Sequence, residues 1–127
     1  MFDGIYHVGY WTDDINAAKK LYQEIFGAEV FKEDAAANGN KLAYLHVGQT
    51  DIELIEPGDK SVLGGQTGVI IHHVGYLVAD IEASMAALKA KGITFQTDAP
   101  YVTPTGARII YLNANGVSGA RIHLSQV

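Results

Sequence analysis

One short line is written twice in this chain. Ile5-Tyr6-His7-Val8-Gly9-Tyr10 returns as Ile71-His72-His73-Val74-Gly75-Tyr76, with five of six positions identical and a constant offset (73 − 7 = 66). A repeat at about half the chain length fixes the architecture before any local reading does. It predicts two copies of one structural unit, and it asks why each copy keeps a histidine.

The rest of each copy follows the same plan. Residues 5–11 alternate as a strand, with Ile5, His7, Gly9 and Trp11 on one face. Thr12, Asp13 and Asp14 supply cap chemistry for a helix start. Ile15, Ala18, Leu21, Tyr22, Ile25 and Phe26 then recur at helical spacing up to Gly27, a C-terminal cap. Strands are expected at 28–32, 41–47 and 51–56, the last two joined through Gly48-Gln49-Thr50 and stopped by Pro57-Gly58-Asp59. In the second copy Asp80 opens a helix carrying Ile81, Met85 and Leu88, closed by Gly92. Strands are expected at 93–97, 107–113 and 120–125. Tyr44-Leu45 recurs as Tyr111-Leu112, and Asp51-Ile52-Glu53-Leu54 as Arg121-Ile122-His123-Leu124 (123 − 53 = 70). Each copy therefore reads β-α-β-β-β.

A unit of about 60 residues buries little surface alone. The chain has 127 residues and a hydrophobic fraction of 48%, enough for one shared globule. The expected fold is α+β: two tandem βαβββ modules (5–57 and 70–127, linker 58–69) forming one domain, a curled mixed sheet around a cleft with helices on its outer face. An interrupted ferredoxin-like arrangement is the rival, and it does not predict the repeat.

Composition narrows the chemistry. Nine Lys+Arg against fourteen Asp+Glu give a formal charge of −5, which argues against a sequence-independent grip on nucleic acid or on an anionic membrane. There is no cysteine, so thiolate nucleophiles, disulfides and thiolate metal sites are excluded, and any metal must be held by His, Asp or Glu. Met1-Phe2-Asp3-Gly4 has neither the basic start nor the apolar run of a signal peptide, and the expectation is a cytoplasmic protein.

Strand parity then gathers a constellation. Ile52 and Leu54 should face the helix, which turns Glu53 to the opposite face; Ile122 and Leu124 do the same for His123. Val8 and Val74 pack outward, which turns His7 and His73 inward. A lone strand histidine is usually a hydrogen-bonded structural residue. Four ionisable groups facing one partly dry cleft are different, because each would cost several kcal/mol without a partner. Three imidazoles and a carboxylate suit Zn, Ni, Co, Fe or Mn. Gly9 and Gly75 make sense as room beside a ligand. His72 has the opposite parity and reads as structural. His46 is open between a role beside the site and a surface position. Arg108 reads as a surface charge, Tyr44 and Tyr111 as groups able to orient a substrate, and loop 98–106 as a lid or a stiff connector.

His-Val-Gly-Tyr, Ile-Glu-Leu-Ile-Glu-Pro, His-His-Val and the final Arg-Ile-His-Leu, set in this paired plan, resemble the vicinal oxygen chelate superfamily. The resemblance covers nearly the whole chain and is closest to the glyoxalase I and methylmalonyl-CoA epimerase branch. It implies His7, Glu53 and His73 as metal ligands. The fourth position is usually Glu in that branch and is His123 here, a departure that matters because the residue there often doubles as the proton-transfer base. The implied set is therefore His7, Glu53, His73 and His123 on a divalent metal, with Glu53 and His123 as catalytic groups. The segment between Pro57 and His72 resembles the epimerases but is shorter.

The implied activity is a metal-dependent isomerase or lyase, glyoxalase- or epimerase-like. It would chelate vicinal oxygens of a small hydroxy or keto acid or a thioester and move a proton alpha to a carbonyl. An iron-dependent dioxygenase and a small-molecule-binding resistance protein are the alternatives. The expected partners are a small-molecule substrate and, by analogy with the family, a second copy of the chain in a homodimer.

Overall fold

A computed structural model describes all 127 residues. The chain separates into two compact units, His7–His72 and Met1–Tyr6 with His73–Val127, whose boundaries fall inside the two repeated strands.

The first module begins with strand β1 (Gly4–Thr12), followed by helix α1 (Ile15–Phe26) and strands β2 (Glu29–Ala35), β3 (Lys41–Val47) and β4 (Thr50–Glu56). Asp14 is the N-cap residue: its side chain accepts from the Ala17 backbone N–H. Gly27 ends the helix in the left-handed conformation that glycine adopts without strain. The strand order is β2-β3-β4-β1, with β1 parallel to β4 and the others antiparallel. Ile15 and Ala18 of α1 pack with Ala43, Leu45, Ile52 and Leu54 in one buried cluster. This is the face expected from the alternation of β4, and it leaves Glu53 on the other side of the sheet.

Strand β5 (Val69–Leu77) opens the second module, after a short 3₁₀ turn at Lys60–Leu63. Helix α2 (Ile81–Lys89) follows, N-capped by Asp80 in the same manner, and then strands β6 (Tyr101–Val102), β7 (Arg108–Tyr111) and β8 (Ile122–Gln126). The order β5-β8-β7-β6 repeats that of the first module, again with one parallel pair. Ile81 and Met85 pack with Ile110, Leu112 and Leu124. No helix is long and apolar enough to cross a membrane.

The two modules share a second device at their helix starts. The Ile15 N–H donates to Oε1 of the buried Glu56, the last residue of β4, at 3.0 Å. The Ile81 N–H donates to Oε1 of Gln126 at 2.8 Å, from the end of β8. One orphan donor of each helix is thus satisfied by the module's own last strand.

The structure corrects the expected strands in two places. Residues 93–97 do not form a strand: Phe95 makes an isolated bridge to Leu112, and the strand stands further along, at Tyr101–Val102. Pro100 lies between them and brings no backbone N–H to a ladder. Part of the segment read as a loop, 98–106, is therefore one arm of a hairpin with β7, tied at its turn by a Tyr6 Oη to Thr105 Oγ1 hydrogen bond of 3.1 Å. Strand β2 also runs longer than expected, into the Ala-rich segment, with a register shift between Val30 and Lys32.

Candidate functional site

Strand register, more than any single side chain, defines the site-forming face of each module. In the first module Gly9 of β1 and Tyr44 of β3 stand on either side of Glu53 on β4. In the second, Gly75 of β5 and Tyr111 of β7 stand on either side of His123 on β8. The arrangement is therefore the same twice: a glycine, an acid or imidazole, and a tyrosine in one row. His7 and His73 lie two residues before their glycines and so on the same faces.

The histidines of these rows and Tyr44 are withdrawn from solvent, and Glu53 and Tyr111 are partly so. His7, His73 and His123 are all buried, His123 completely. Burial drives the His7 pKa down to about 4, against the raising influence of the Asp51 carboxylate, its partner across β1 and β4. Its imidazole is consequently neutral at pH 7, with a lone pair to offer. Glu53 moves the other way: burial pushes its carboxyl up to about 7, opposed by a side-chain hydrogen bond from Tyr44. A carboxyl poised there can both take and return a proton near neutrality.

In the second module three rings meet. The His73 and His123 centroids are 4.9 Å apart, and Tyr111 stands edge-on to both, at 5.6 Å and 5.0 Å. The ring of His123 lies directly over Gly75. A Cβ at that position would fall 2.9 Å from Nε2, 3.0 Å from Nδ1 and closer still to Cε1. The glycine is thus required by close approach, of an imidazole rather than of the ligand expected from the sequence. On its other side His123 receives Ser125, whose Oγ lies 2.9 Å from Nδ1.

The residues read as secondary are also placed. His46 is half-exposed, with Nδ1 2.6 Å from Oδ1 of Asp51 and its ring stacked on Phe31 at 3.9 Å. It sits one row from Glu53 in the first module. His72 packs against Trp11, with 4.4 Å between centroids. Arg108 pairs with Glu82 on the exposed face of helix α2, the surface role expected of it. Two polar residues escaped the sequence reading, Asp51 and Ser125. Each lies two positions from a singled-out residue on the same strand face, and parity alone would have found both.

Comparison with known proteins agrees with the fold. Residues 4–111 match the family described as the glyoxalase/bleomycin resistance protein/dioxygenase superfamily. The ethylmalonyl-CoA/methylmalonyl-CoA epimerase of Cereibacter sphaeroides is 29% identical over 134 residues, covering 100% of both chains. The crystal structure of methylmalonyl-CoA epimerase from Mycobacterium tuberculosis superposes with a TM-score of 0.88 at 23% identity, over 98% of this chain and 88% of that one. A variant of the Streptomyces coelicolor methylmalonyl-CoA epimerase, in complex with 2-nitronate-propionyl-CoA, gives 0.86 at 25% identity over 99% and 98%. The duplicated βαβββ fold, its paired rows and these matches agree: the chain belongs to the glyoxalase/bleomycin resistance/dioxygenase superfamily, the vicinal oxygen chelate proteins.

Proposed function

We propose that this protein is a metal-dependent epimerase or closely related isomerase that moves a proton on the carbon beside a thioester or keto carbonyl. The observation that carries the reading is the doubled row. Each module presents a buried histidine on its first strand and a second donor, Glu53 or His123, at the same register of its last. The names of the relatives, epimerases of acyl-CoA thioesters, supply the substrate class.

The donor chemistry fits a divalent ion. We read His7, His73 and His123 as its nitrogen donors, and each of these side chains is buried. His7 is neutral at physiological pH, as a ligand must be. The raised pKa of Glu53 records the cost of ionising that carboxyl where it stands, a cost that a cation beside it would offset. In this reading His7, His73 and His123 hold the ion, and Glu53 completes the set or serves as the base. When bound, the metal supplies Lewis-acid stabilisation for charge developing on two neighbouring substrate oxygens. The chain's own residues do the rest. Glu53 would take the proton from one face of the carbon, with the Tyr44 bond holding the carboxyl in place; inversion then requires delivery of a proton to the opposite face, because return from Glu53 to the same face regenerates the starting isomer. We also read the protein as a cytoplasmic homodimer, an assembly state that sedimentation of the purified chain tests.

The deciding experiment is deuterium exchange. Purified protein supplied with Co(II), Ni(II), Zn(II) or Mn(II) is incubated with methylmalonyl-CoA in D₂O, with elemental analysis of the same preparation. Proton exchange at C2 without oxygen uptake, lost in His73→Ala together with the metal, is the expected result. Oxygen consumption with Fe(II) in place of exchange would overturn the proposal in favour of a dioxygenase. Protein that takes up no divalent ion would overturn it altogether.

A further inference from the structure

We infer that Ser125 is a positioning residue for His123, fixing which of its ring nitrogens is offered for metal binding; the inference rests on the metal reading above. Ser125 and His123 are both fully buried, two residues apart on β8, and their side chains share one face of the strand. The Ser125 hydroxyl meets Nδ1 of His123 at 2.9 Å, inside ordinary hydrogen-bond distance.

That bond decides the ring's orientation because the surroundings leave it little freedom. The Cε1 edge lies against the bare backbone of Gly75, and Tyr111 stands edge-on to the ring at 5.0 Å. Turning the imidazole over would place a carbon where Nδ1 now meets the serine, stranding a buried hydroxyl without its partner. With Nδ1 held by Ser125, a metal would meet the ring at Nε2. When Nδ1–H donates to Oγ, the lone pair resides on Nε2, the state a ligand needs. Metal-bound histidines generally have their second nitrogen held by such a partner, which sets the tautomer and the ring plane.

The first module shows that this serine goes with the imidazole. The position matching Ser125 is Ile55 (125 − 70 = 55), which has no polar atom to offer, and there the donor residue is Glu53, oriented by Tyr44 from the neighbouring strand. One module uses a tyrosine to hold a carboxylate. The other uses a serine to hold a histidine in the same row.

Two measurements on Ser125→Ala, a change that removes the hydroxyl without adding volume, test the assignment. The first is a Co(II) titration of metal-stripped protein by competition with a chelator. Loss of an orienting partner typically weakens metal binding about 10–100-fold, and a shift of that size is expected. The second is ¹⁵N NMR of the imidazoles in metal-free protein at pH 8. The wild type should show one His123 tautomer, and Ser125→Ala a mixture or the other form, a signature that general loosening of the fold would not produce. Unchanged cobalt affinity in the variant, or the same single tautomer in both proteins, overturns the inference. If the wild type binds no cobalt, the metal reading is what falls, and the tautomer measurement alone then decides whether Ser125 positions the ring.

Discussion

Gly75→Ala is the smallest change that should damage the second module, and its size follows from the distances. The added Cβ would sit 2.9 Å from Nε2 and 3.0 Å from Nδ1 of His123, where ordinary contact begins near 3.4 Å. The backbone at Gly75 is not left-handed, so an alanine there carries no strain of its own. All of the cost lies in moving the imidazole. That ring is fully buried beside Tyr111 and His73 and hydrogen-bonded to Ser125, so it has no open side to yield into. Overpacking of this kind costs about 1–3 kcal/mol. Loss of the serine bond adds ~1 kcal/mol. Without the ring, alanine should instead gain about 0.5–1 kcal/mol over glycine in a strand. A double-mutant cycle in urea, on metal-free protein, therefore isolates the clash: Gly75→Ala should destabilise the wild type by about 2–3 kcal/mol and be neutral or stabilising in a His123→Ala background. A coupling energy below about 0.5 kcal/mol would show that the ring does not rest on Gly75, and the placement of His123 would have to be abandoned.

Other expectations follow from the same geometry. Glu53, with an ordinary value of 4.5 and a folded value of about 7, destabilises the metal-free protein as pH rises through that window, by roughly 3 kcal/mol at full ionisation. His7, with 6.5 and about 4, gives the opposite slope, its stability lost as pH falls from 6.5 to 4. The two nearly cancel between pH 4.5 and 6.5, so wild-type stability in urea should be flat there while Glu53→Gln gains stability with pH; equal slopes for the two proteins would contradict the Glu53 shift, and a flat Glu53→Gln the His7 shift. Glu56→Ala should cost about 1–3 kcal/mol by stranding the Ile15 N–H, whereas Glu56→Gln, which reproduces the Gln126 contact, should cost under about 1 kcal/mol in thermal denaturation. Arg108→Ala, which removes an exposed pair with Glu82, should leave both the melting temperature and cobalt affinity near wild type.

The parts of this fold legible in the sequence were those with a period. Ile52 and Leu54 reach the helix, and Glu53 avoids it, because a strand alternates; the repeat of His-Val-Gly-Tyr fixed the register of β5 from that of β1. The unread parts depend on contacts that no period encodes. Residues 93–97 carry the alternation of a strand, but Phe95 meets Leu112 only at a single bridge and the hairpin partner of β7 is Tyr101–Val102. Gly75 was read as room for a ligand, and the room is taken by the ring of His123 itself. The substitution of His123 for a carboxylate was visible from the start, yet its consequence lay in Ser125, whose significance appears only when the neighbouring imidazole has a direction.

The hydrogen bonds from Ile15 to Glu56 and from Ile81 to Gln126 join the start of each helix to the final residues of its own module, 41 and 45 positions later. The first N–H of each helix therefore gains its protein partner only when the module's last strand is in place. Each module is thereby closed on itself, its first helix tied to its last strand. Hydrogen exchange should register this as a shared fate: the amide of Ile15 should open with β4, and that of Ile81 with β8, rather than with the fraying ends of their own helices.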